Sequence, residues 1–79
     1  MNLYLMTQTV NANYDTYHGV VVAAPFEKIA LTIHPGGVLF GSNKHDDNWV
    51  QSVDQIIITL IGKATDDNFQ GVILFDYLG

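Results

Sequence analysis

Between Leu3 and Val10, Leu3, Leu5 and Thr7 alternate with Tyr4, Met6 and Gln8, the two-residue period of a strand lying on a core. Asn11, Asn13 and Asp15 follow. Their short amide and carboxylate side chains bond to nearby backbone and favour a turn. His18 to Ala24 is continuous, β-branched and apolar, which predicts a second strand covered on both faces or lying at an interface. The period then changes. Phe26, Ile29, Ala30 and Ile33 recur at helical spacing, with Glu27, Lys28 and Thr32 between them, a short amphipathic helix with one apolar stripe. Pro25 suits its first position, where the missing amide hydrogen is no loss. Pro35 disfavours helical geometry at His34, and Gly36 and Gly37 follow, so the helix should stop within a residue or two of Ile33.

Residues 36 to about 52 mix glycine, asparagine and aspartate with one tryptophan, and Val38, Leu39 and Phe40 among them read as a short strand or a loop anchor. Val53 to Ile61 returns to strand character, with Ile56, Ile58 and Leu60 on one face and Ile57, Thr59 and Ile61 on the other. Asp66, Asp67 and Asn68 make a turn, and Gly71 to Tyr77 gives a last strand, expected to pair with the preceding one as a hairpin. The order β-β-α-β-β predicts an α+β domain over residues 1–79: a mostly antiparallel sheet of four strands with one short helix on one face. One helix covers one face only. Ile57, Ile61, Ile73, Phe75 and Tyr77 would lie partly on the open face, for a self-partner or the Trp49 loop to cover. A homo-oligomer is expected.

Composition narrows the function classes. At 79 residues the chain buries only about 60% of its unfolded surface, so it makes one domain of modest stability. The absence of cysteine removes disulfides and thiolate metal sites and fits a reducing, cytoplasmic setting. No basic leader is present, and no apolar run approaches the roughly 18 residues of a membrane span. Eight acidic residues face three lysines and no arginine, for a net charge of −5. Arginine is the usual bidentate reader of phosphate and guanine, so direct nucleic-acid binding is set aside. A basic surface on another protein remains a fitting partner.

Tyr14, Asp15, Tyr17 and His18 crowd into five positions ahead of the second strand. Two phenols, a carboxylate and an imidazole are the equipment of a small polar-aromatic ligand pocket; the same residues also suit a turn and a sheet edge. Trp49, the only tryptophan, is either a staple onto the core or an interface anchor. His34 falls at the helix C-terminus, where a donor meets unpaired carbonyls. Lys44 to Trp49 holds His45, Asp46 and Asp47, but adjacent residues rarely converge on one ion and no second cluster completes a site. Neither metal nor cofactor is expected. The glycines at 36, 37 and 41 lack phosphate-loop spacing. No nucleophile elbow or triad order can be assembled, and Asp46/Asp47 and Asp66/Asp67 are poor acid/base pairs because neighbours point apart.

Tyr14-Asp15, Tyr17, Val21-Val22, Ala23-Ala24-Pro25, Ile33-His34-Pro35, Trp49, Leu60-Ile61-Gly62 with Ala64, and Gly71-Val72-Ile73 form a pattern that resembles a family of small, mostly uncharacterised proteins of bacteriophages and prophages. The resemblance spans nearly the whole chain and its motifs are structural. It implies a short accessory protein acting in the bacterial cytoplasm against host defence. The leading expectation is thus a non-enzymatic binder that sequesters a small polar or nucleotide-like signalling ligand in an oligomer, with Tyr14, Asp15, Tyr17, His18 and Trp49 as ligand contacts. One alternative is an acidic protein-binding inhibitor of a host defence protein. Another is a small hydrolase using His18, His34 or His45.

Overall fold

The computed structural model describes residues 1–10, 16–37, 49–50, 52–65 and 69–78. Its strands are β1 (Asn2–Thr7), β2 (Thr16–Ala24), β3 (Ile57–Lys63) and β4 (Gly71–Leu78), with one helix, α1 (Glu27–Ala30). The strands form one sheet in the order β3-β1-β2-β4, and each neighbouring pair is antiparallel. Val38, Leu39 and Phe40 lie outside the described residues, as do His45, Asp46, Asp47 and Asp66 to Asn68.

The β1–β2 hairpin occupies the centre, and β3 and β4 flank it on opposite edges. The expected β3–β4 hairpin is therefore absent. A hairpin there would leave β1 or β2 at a sheet edge. The observed order instead gives β2, the most continuously apolar strand, a partner on each side, so that neither of its backbone edges is left bare. The connection 64–70 spans three strand spacings, about 14 Å, well within its extended reach of over ~20 Å. It starts where Ala64 N–H donates to the Met1 carbonyl at 2.8 Å.

The helix is shorter than its spacing predicts. Phe26 stays extended (φ −158°, ψ 167°) as the N-cap, leaving Pro25 outside the helix and the Phe26 ring 52% exposed. After Leu31 N–H donates to the Glu27 carbonyl, the bonds tighten to Thr32→Ile29 and Ile33→Ala30, the narrowing that closes a helix end. The Thr32 hydroxyl also donates to the Ile29 carbonyl. Ala30 and Ile33 still reach the core, but Phe26 does not. β3 likewise starts late, because Ser52 and Gln55 form a capping box around a single 3-10 turn at Val53–Gln55.

The core lies on the helix side of the sheet: Tyr4 and Met6 from β1, Val20 and Val22 from β2, with Ala30 and Trp49 packed over them. Trp49 is the largest fully buried side chain, 1% exposed, so of its two expected roles it occupies that of core staple, and it does not cover the open face. Phe75 is opposite Val20 in the β2–β4 register, which places it on this helix side at the sheet edge rather than on the open face. The reverse side carries Leu5 and Thr7 of β1, Val21 of β2, Ile57 opposite Thr7, and Leu74 opposite Val21. No described element packs over it.

Candidate functional site

One irregularity decides which faces Tyr17 and His18, divided by the alternation of the strand, come to occupy. Between Tyr17 and Gly19 the β2–β4 register shifts by one residue, leaving His18 without a direct partner on β4. A bulge of this kind re-aims side chains because it breaks the strict alternation of faces. Tyr17 turns to the helix side, where its ring meets Phe75 edge-on at 5.2 Å and His34 edge-on at 5.8 Å. His18 turns to the open face. Gln8 secures the junction: its backbone N–H donates to the His18 carbonyl, and its buried side-chain amide donates to the Tyr17 carbonyl at 2.8 Å. Tyr14 and Asp15 lie outside the described residues.

Of His34, expected as a donor at the helix end, the structure describes an accepting role for one ring nitrogen. Its ring is buried, and Nδ1 accepts the Gly36 backbone N–H at 2.9 Å, while its carbonyl accepts the Gly37 N–H. The result is a β-turn with Pro35 in second position and Gly37 at φ +88°, a geometry in which proline and glycine are each the favoured residue.

On the open face, His18 lines a groove of roughly 350 Å³ with apolar walls from Leu5, Val21 and Leu74 and polar groups from Thr7 and Asp76. His18 Nε2 is buried in the fold and has no hydrogen-bond partner among the described residues. An unpaired buried nitrogen is unfavourable by about 1–3 kcal/mol, so it marks a place where an added donor or acceptor is rewarded. A second depression, roughly 440 Å³, lies at the other end of the same face, beside the 64–70 crossover. Leu3, Ala23 and Ile73 form its base, with Lys63, Thr65 and Phe69 around them. Asp76 is among the residues lining the first depression and Lys63 among those lining the second.

Asp76, Lys63 and Phe69 are absent from the sequence-derived candidates. Asp76 left one readable sign, as the single charge in an otherwise apolar strand; Lys63 and Phe69 left none, since only the crossover brings them together. Among the described residues no three histidine, aspartate or glutamate side chains are grouped as metal ligands would be, and no helix is long and apolar enough to cross a membrane.

No family model, curated protein or solved structure matches the chain. Its class is therefore defined by the fold and the face alone: a small α+β domain with an antiparallel four-stranded sheet, one side covered and the other left open by the described residues.

Proposed function

We propose that this chain is a small non-enzymatic binding protein, a β-β-α-β-β phage accessory protein of the bacterial cytoplasm, that sequesters a small polar, nucleotide-like ligand on its open sheet face within an oligomer. The observation that carries the reading is His18, which lines the open-face groove and whose buried Nε2 has no hydrogen-bond partner among the described residues. Leu5, Val21 and Leu74 offer a flat apolar seat for a ring, and His18 with Thr7 offers hydrogen bonds to its edge. The other depression suits the rest of such a ligand, with the Phe69 ring for stacking and Lys63 for a phosphate. Burial of Trp49 favours this reading over a protein-binding inhibitor anchored on that residue.

Calorimetry against a panel of nucleotides and cyclic nucleotides tests the proposal. Binding of at least one member is expected, weakened about tenfold or more in His18→Ala by loss of a buried hydrogen bond. Absence of heat for the entire panel with the wild-type chain would overturn it.

A further inference from the structure

We infer that the ring held on the open face is guanine, and that the Asp76 carboxylate selects it by accepting the N1–H and 2-amino hydrogens; this rests on the nucleotide-like ligand proposed above and names its base. Directly opposed residues of paired strands project to one face. Thr7 is opposite Gly19 and Gly19 opposite Asp76, while Leu5 is opposite Val21 and Val21 opposite Leu74. The open face thus carries a polar row and an apolar row, about 7 Å apart along the strands, and all of these residues line the groove that His18 also lines. The middle of the polar row has no side chain. Thr7 and Asp76 stand two strand spacings apart, about 10 Å, with the Gly19 backbone as the floor between them. Gly19 does not serve the backbone there, since its φ lies outside the left-handed region and a Cβ would meet Thr7 Cγ2 at 3.4 Å, an ordinary contact. Its place in the row keeps a slot open.

A planar ring laid over Val21 and Gly19 has Asp76 at one edge and Thr7 at the other. An ionised carboxylate only accepts hydrogen bonds, so the edge that faces Asp76 must donate. Guanine sets N1–H and its 2-amino group side by side, two donors that match the two oxygens of a carboxylate, and charge-assisted pairs of this kind are the strong ones. The other common bases do not. Adenine and cytosine each place a ring-nitrogen lone pair beside the amino group, and uracil places its N–H between two carbonyls, so each turns an acceptor toward the carboxylate and is disfavoured. With its donors on Asp76, guanine leaves N7, an acceptor, on the far edge for the Thr7 hydroxyl. The same carboxylate repels phosphate, which keeps this end of the face for the base.

Calorimetry with the monophosphates and cyclic monophosphates of guanosine, inosine, xanthosine and adenosine tests the assignment. The guanine ligands should bind tightest. Hypoxanthine, which lacks the 2-amino group, and adenine should each bind more weakly by about tenfold or more. Asp76→Asn, an exposed and nearly isosteric change, should reverse the order of guanine and xanthine, because the amide NH2 donates to the 2-oxo group of xanthine while its carbonyl still accepts N1–H. Gly19→Ala should weaken guanine binding about tenfold with an unchanged circular dichroism spectrum, by filling the slot. Adenine or hypoxanthine bound as tightly as guanine, or a guanine-to-xanthine ratio unmoved by Asp76→Asn, overturns the assignment of the base while the sequestering function stands. Guanine binding indifferent to Gly19→Ala overturns the placement of the ring. Absence of heat for these ligands and for every other nucleotide of the panel overturns the sequestering function and the base assignment together.

Discussion

The ring of Tyr17 meets the ring of His34 at 86° with centroids 5.8 Å apart, which joins the entrance of β2 to the turn that ends the helical segment. His34 Nδ1 accepts the Gly36 N–H, so in the neutral ring the proton belongs on Nε2. Nitrogen-15 chemical shifts of the imidazole should report the Nε2–H tautomer. His34→Ala, which removes both the acceptor and a buried ring, should lower the unfolding free energy by about 1–3 kcal/mol in urea titration.

Gln8 extends the β1–β2 connection beyond the last paired residues of β1. Replacing it with leucine keeps the burial but deletes the donor to the Tyr17 carbonyl. A loss of about 1 kcal/mol is expected, with the largest amide shift changes at Tyr17 and His18. A variant as stable as wild type, with those shifts unmoved, would remove Gln8 from this role.

Trp49 should behave as a core residue in every assay. Its emission should be blue-shifted and poorly quenched by iodide. Trp49→Ala should lower stability by about 3–5 kcal/mol, a large share of the roughly 5–15 kcal/mol available to a small domain. Trp49→Phe should cost less. A destabilisation under about 1 kcal/mol in the alanine variant would contradict the packing described.

Two glycines should respond in opposite ways to alanine. Gly37 has φ +88°, and a Cβ there would meet nothing within 4 Å, so Gly37→Ala carries a purely conformational penalty of about 1–2 kcal/mol. Gly62, in β3, has an ordinary backbone and equally open space. Gly62→Ala should be neutral or stabilising by up to about 1 kcal/mol. Thermal melts resolve the contrast, at about 4–8 °C per kcal/mol for a domain of this size.

The strands were legible because their alternation is local: Tyr4 and Met6 point one way and Leu5 and Thr7 the other, as the period required. Sheet order was not legible. A hairpin between β3 and β4 is the most local pairing along the chain, but it would leave β1 or β2 with a bare edge, and that comparison appears only once all strands are placed. The helix was overextended by its stripe, because Phe26 satisfied the spacing while adopting an extended backbone. For the site, Tyr17 and His18 were found as neighbours that a strand sends to opposite faces, and nothing in the residues announced the one-residue bulge that decides which face each takes. Tyr14 and Asp15 lie outside the described residues.

The flanking of an early hairpin by two later strands also orders events in time. During synthesis β2 leaves the ribosome well before β4, so its apolar run from Val20 to Ala24 waits with one backbone edge unpaired until the 64–70 crossover delivers the closing strand. Closure of this small sheet thus waits on two distant pairings, β1 with β3 and β2 with β4, and slow folding with a transiently adhesive nascent chain is the expected kinetic signature.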